Sequence, residues 1–217
     1  MKFRLFFVWL IFIPLFNSNS KVKLPNIFSD NLVLQQKSGN PIWGWADPGE
    51  RVEVKTSWGE NQIASAESDG SWMVIVNTPE AGTGHKVTIS GENKIVLKNV
   101  ALGEVWICAG QSNMGWSVAN SFEAEGEAYV DLPSLRIFRS AREHWHEPLQ
   151  ENRDRLAKWK PCDSESAAET SAVAYYFGKT LQQKLGIPVG IIQRAYAGTP
   201  IEGWMPWNIQ RDDPRAR

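Results

Sequence analysis

The chain has little histidine, little cysteine and no surplus of charge of either sign. With 23 basic and 24 acidic residues in 217, the net charge is −1. No basic patch or acidic tail stands out, which argues against nucleic acid as a partner. Three histidines leave few candidates for a metal centre or a general base. His144 and His146 flank Trp145, and a His-x-His pair can hold a metal ion, but no cysteine or third clear ligand stands near. We therefore expect no metal centre, and the serine chemistry considered below needs no organic cofactor. Glu143 precedes His146 by three residues, the spacing of an acid that could orient a histidine base. A solvated loop is the competing reading of that segment. His85, beside a glycine-rich turn, reads as a surface residue. Cys108 and Cys162 are the only thiols. One disulfide is open to an exported protein, yet Cys108 lies in an apolar run and reads as a small buried thiol. Beyond the first twenty residues no apolar stretch is long enough to span a bilayer.

Those first twenty residues have the layout of a targeting signal. Lys2 and Arg4 supply positive charge, Leu5 to Phe16 is apolar apart from Pro14, and Asn17-Ser18-Asn19-Ser20 is small and polar. The pattern predicts a cleaved secretory signal over 1–20, hence a secreted or periplasmic protein with no membrane attachment after cleavage. An uncleaved anchor is the alternative. The length that remains suits one large domain or two small ones.

Residues 21–100 read as all-β. Val52, Val54 and Thr56 alternate with Glu53 and Lys55, the period of a half-buried strand. Further short strands are predicted at 72–76, 86–90 and 95–98. Glycine turns at Asp47-Pro48-Gly49, Asp69-Gly70 and Gly82, Gly84 and Gly91 separate them, which indicates a β-sandwich or barrel. After Asn99 the texture changes. Val100 to Ala109 reads as a buried strand that ends at Gly110. Ser166 to Glu169 has capping-box spacing. Val173, Tyr176, Phe177, Thr180, Leu181 and Leu185 then recur at helical period, and Gly186 and Pro188 end the helix. Val189 to Gln193 is a further strand. Strand, helix, strand in this order predicts a parallel sheet with ligands at the carboxyl ends of its strands. Residues 116–165 read as loops and irregular helix. The eleven tryptophans serve either core packing or platforms for sugar faces.

The densest chemical signal is Val105-Trp106-Ile107-Cys108-Ala109-Gly110-Gln111-Ser112-Asn113-Met114-Gly115. A strand that stops at a glycine and turns into a helix lifts Ser112 to the sheet's top edge. There the first N–H groups of the helix are unpaired and the dipole is positive. That suits a serine nucleophile, with the N–H groups of Ser112 and Asn113 as oxyanion donors. Gly198, in the loop after the next strand, is a third candidate donor. Ser112 as a plain helix N-cap is the competing reading. The spacing is not Gly-x-Ser-x-Gly, because Met114 stands at the final position.

Gly110-Gln111-Ser112-Asn113-Met114, preceded by Gly103-Glu104-Val105-Trp106, resembles the nucleophile block of sialate O-acetylesterases, carbohydrate esterases of the SGNH hydrolase superfamily. Trp43 to Gly49, Asp69-Gly70-Ser71-Trp72, Ser171 to Phe177, Pro188 to Ile192 and Gly198 to Trp204 resemble further family segments in the same order. The resemblance implies an α/β protein: a β-sandwich accessory domain over 21–100, then part of a flavodoxin-like SGNH hydrolase domain over 101–217. It implies a serine esterase that removes O-acetyl groups from sugars, with Ser112 as nucleophile and Gly198 as an oxyanion donor. Two departures accompany it. Ala197 replaces the first glycine of a Gly-Gly-Thr loop, and the Asp-x-x-His block that supplies the family's base occurs nowhere in the chain. The sequence therefore predicts an N-terminal portion with impaired turnover. A non-catalytic sugar-binding protein and a truncated product without function are the alternatives.

Overall fold

The computed structural model describes residues 21–122, 126, 131–140 and 157–212. The predicted signal at 1–20 and the Glu143, His144 and His146 group lie outside the described residues. Ten strands dominate: β1 (Val33–Gln35), β2 (Gly39–Trp45), β3 (Arg51–Thr56), β4 (Asn61–Ser65), β5 (Ser71–Asn77), β6 (Gly82–Ser90), β7 (Lys94–Gly110), β8 (Leu132–Arg139), β9 (Trp159–Cys162) and β10 (Val189–Ala195). The α-helices labelled among the described residues are α1 (Ser112–Gly115), α2 (Ser164–Glu169), α3 (Ala172–Leu185) and α4 (Trp207–Asp212). The large sheet runs β4-β3-β6-β7-β10-β8-β9, with β1 also paired to β7, while β2 and β5 form a separate ribbon. The protein is thus mixed α/β with sheet predominating. Among the described residues no helix is long and apolar enough to cross a membrane.

β7 organises this arrangement. Its first part pairs antiparallel with β6, and its last seven residues pair parallel with β10, Glu104 opposite Val189 and Gly110 opposite Ala195. β10 is also parallel to β8, as the strand–helix–strand order predicts. The two strands expected at 95–98 and 100–109 are therefore one. Asn99 interrupts the sequence pattern because it takes a left-handed conformation (φ 52°), a bend that asparagine tolerates, and the ladder continues past it.

Three further expectations are corrected. Residues 116–165 contain β8 and β9, not loops and irregular helix alone. β8 was hidden because the fully apolar pattern of a parallel strand is broken by a buried arginine, Arg136. The capping box lies three residues earlier than predicted. Asp163 is the N-cap, its carboxylate accepts from Ser166 N at 2.8 Å, and Ser166 Oγ accepts from Asp163 N at 2.9 Å. The helix predicted from Val173, Tyr176 and Phe177 exists as α3, but its buried stripe is Ala174, Tyr175 and Gly178. Val173 (53 %), Tyr176 (38 %), Phe177 (40 %) and Leu185 (48 %) are exposed. The small residues win the inner face because α3 packs very close to the sheet. A Cβ on Gly178 would stand 2.8 Å from Leu135 Cδ1.

Two apolar clusters result. The larger joins β1–β7 with Phe138 and Trp159. The smaller lies beneath α3 and includes Cys108, Cys162, Leu135, Tyr175 and Ile191. Both cysteines are free and buried, as expected of Cys108.

Candidate active site

The parallel pairing of β7 and β10 decides what meets at the top of the sheet. Gly110 and Ala195 end the two strands side by side, and Tyr196 N donates to Gly110 O at 2.9 Å. Neighbouring strands lie about 4.8 Å apart. The turn bearing Ser112 and the loop bearing Gly198 therefore leave the same edge from adjacent strands.

α1 is a single turn. Gly115 N closes it on Gln111 O at 3.0 Å. Its N-cap is Gln111, which makes no side-chain cap. Ser112 is the first helical residue, so its hydroxyl is not spent on capping. Its side chain is exposed, and Oγ donates to Gln111 Oε1 at 3.4 Å. An amide oxygen can orient that hydroxyl but cannot accept its proton permanently. The backbone N–H groups of Ser112 and Asn113, at the start of the turn, have no intrahelical acceptor.

What holds α1 in place was not legible from the nucleophile motif. Ser171, the N-cap of α3, is fully buried. Its Oγ accepts from Ala174 N at 3.2 Å and donates to Met114 Sδ at 3.4 Å. Ser171 N donates to Oε1 of buried Gln193 at 3.0 Å. Ala172 N donates to Trp116 O at 2.8 Å, and Val118 N to Thr170 O at 2.9 Å. The segment after the serine is thus stitched to the start of α3, and both are tied to β10. A capping serine in front of α3 was the available signal. Trp116, 58 % exposed, stands four residues beyond Ser112.

The second loop is pinned by its own side chains. Thr199 Oγ1 donates to Tyr196 O at 2.8 Å and accepts from Trp204 Nε1 at 2.9 Å. Gly198 has φ 78°, a conformation costly for any residue with a Cβ. Its exposed backbone has open space where a side chain would stand.

His85 is the one histidine among the described residues. It lies in β6, within hydrogen-bond distance of Ser57 Oγ (Nδ1···Oγ 3.2 Å) and edge-on to Trp58. It lies in the β region, as the sequence suggested, but is half-buried and engaged with these neighbours and is not a free surface residue. The described residues contain no group of three His, Cys, Asp or Glu able to hold a metal ion.

Comparison with known proteins identifies the family. Residues 102–212, which include Ser112 and Gly198, match the family model described as carbohydrate esterase, sialic acid-specific acetylesterase. Human sialate O-acetylesterase is 31 % identical over 205 residues, covering 84 % of this chain and 38 % of that protein. The mouse enzyme is 31 % identical over 196 residues, covering 82 % and 36 %. The chain thus spans well under half the length of these relatives. A crystal structure of a carbohydrate acetylesterase from Xanthomonas citri superposes with a TM-score of 0.82 at 27 % identity, over 91 % of this chain and 45 % of that one. The chain belongs to the carbohydrate esterase family of sialic acid-specific acetylesterases.

Proposed function

We propose that this chain carries the nucleophile and oxyanion-binding part of an exported esterase that removes O-acetyl groups from sugars. In this reading residues 101–217 form the hydrolase portion and residues 21–100 an accessory β portion. Acetylated carbohydrate is the substrate, as the names of its relatives state for those proteins. The observation that carries the reading is the Ser112 hydroxyl, exposed at the carboxyl end of β7 and not used as a cap.

The chemistry follows from serine's weakness as a nucleophile. Ser112 Oγ attacks the acetyl carbonyl as a base removes its proton. The carbonyl oxygen becomes an oxyanion, held by N–H groups of Ser112, Asn113 and Gly198. Collapse breaks the bond to the sugar oxygen, which leaves as a hydroxyl after taking a proton. Water then releases acetate from the acetyl-serine. The family resemblance assigns the base to the histidine of an Asp-x-x-His block, which does not occur in this sequence. Without that base Ser112 Oγ attacks slowly.

The test is hydrolysis of 4-nitrophenyl acetate and of an O-acetylated sialic acid, with mass spectrometry of the peptide containing Ser112. An acetyl adduct on Ser112, and a rate that drops to the buffer background in Ser112→Ala, are expected. Unchanged turnover in Ser112→Ala removes the nucleophile from this position.

A further inference from the structure

The outward face of the β2–β5 ribbon is built unlike its inward face. The inward side places Ile42, Val74 and Val76 in the core. The outward side pairs Trp43 with Met73 and Trp45 with Ser71. These residues line an open cavity of about 910 Å³ together with Ser65 and Glu67. Met73 is 60 % exposed although apolar.

The chemistry of the lining selects the ligand. Trp43 is half-buried, with its ring edge-on to that of core Phe28 at 4.6 Å, so the platform rests mainly on Trp45, whose indole suits the C–H faces of a sugar ring. The Glu67 carboxylate is exposed and makes no ion pair among the described residues, and no basic residue is among those lining the cavity. A carboxylate without a cation accepts hydrogen bonds from hydroxyl donors and repels anions. Ser71 Oγ already donates to Asp69 Oδ1 at 2.7 Å, which leaves its oxygen to accept. The volume falls in the range of small-ligand pockets. Apolar platforms, acceptors and no positive charge describe a site for an uncharged polyol, not for an acidic sugar or a phosphate.

We propose that this cavity binds a neutral oligosaccharide chain, at a site that shares no residue with the turn of Ser112 or the loop of Gly198. The site does not depend on the esterase reading.

The test titrates the purified chain with xylotetraose and cellotetraose, using tetragalacturonate as the anionic control. Tryptophan fluorescence and calorimetry provide the readouts. Saturable binding of at least one neutral tetrasaccharide is expected, with tetragalacturonate weaker. Trp45→Ala lowers the affinity at least tenfold, and Glu67→Gln, at an exposed position, lowers it several-fold with the fold intact. Ser112→Ala leaves binding unchanged, which separates this site from the ester-cleaving one. Three results overturn the proposal: no binding of either neutral sugar, tighter binding of tetragalacturonate, or affinity indifferent to Glu67→Gln and to a folded Trp45→Ala. Loss of binding in Ser112→Ala overturns it as well.

Discussion

One strand, β7, passes through two different environments. Between Lys94 and Gly103 it has β6 on one edge and, at Ala101 to Gly103, β1 on the other. Val100, Ala101 and Leu102 are completely buried. From Glu104 onward β10 takes over the first edge. On the second edge β1 has ended, and Gln35 Oε1 accepts from Val105 N at 2.9 Å. Beyond that point no strand pairs with the second edge among the described residues. Trp106 is 44 % exposed and Ile107 73 % exposed. The apolar letters are alike in both halves, so burial here is set by what lies alongside and not by residue type. The candidate nucleophile sits at the end of the less covered half.

Arg136 ties the halves together, and removing it should have the largest effect on stability. It lies in β8, 3 % exposed, and its guanidinium reaches toward the antiparallel half. Nη1 donates to Asn99 O, to Asn31 O at 3.1 Å and to Leu32 O at 3.4 Å, and Nη2 donates to Asn99 Oδ1 at 3.3 Å. Asn31 and Asn99 are both left-handed (φ 68° and 52°), so one cation holds two bent backbones. Burial lowers its pKa from the usual arginine value, but a guanidinium stays protonated in proteins. Hydrogen bonds to charged groups are worth about 1.5–3 kcal/mol each, and several carbonyls lose their donor together. Arg136→Ala should therefore cost about 4 kcal/mol, read as a shift in urea midpoint. A loss under about 1 kcal/mol would mean that the halves are held by apolar contact alone.

The comparison itself is tested by truncating an aliphatic side chain in each half. Leu102→Ala should cost about 3 kcal/mol, in the range for deleting a buried leucine side chain. Ile107→Ala, on the same strand five residues later, should cost about 0.5 kcal/mol or less, as at other exposed positions. Equal costs in the urea titrations would show that Ile107 is covered in solution.

Legibility in the sequence followed the same division. β3 and β5 were readable because one face is buried and one is wet, so Val52 and Val54 alternate with charge. β8 was unreadable because Arg136 occupies a core position that only a tertiary set of carbonyls justifies. The inner stripe of α3 was misassigned because close packing favours Ala174 and Gly178, which hydrophobicity ranks below Val173 and Phe177. At the candidate site, Ser112 and Gly198 were readable because strand ends and glycine turns are local signals. Their support was not, since Ser171, Gln193 and Met114 meet only after β7 and β10 pair.

The smallest expected effect concerns alkaline pH and again separates the two regions, because both thiols belong to the core beneath α3 and none to the larger one. Burial, with Asp163 and Asp131 nearby and only partly offset by Lys179, pushes the Cys162 thiol up to about 12 from 9.0. Burial also raises Cys108. A thiol whose native pKa lies above its unfolded value keeps its proton in the folded protein while the unfolded chain loses it. The unfolded state then binds fewer protons, and stability falls as pH rises. The effect is absent below about pH 9 and grows between 9 and 12. Cys162 contributes a slope of at most one proton. In urea titrations at pH 8 and pH 10, Cys162→Ala should lose stability less steeply than the parent chain, whatever constant offset the substitution adds. Identical slopes would mean that water reaches the thiol and that the core beneath α3 is open.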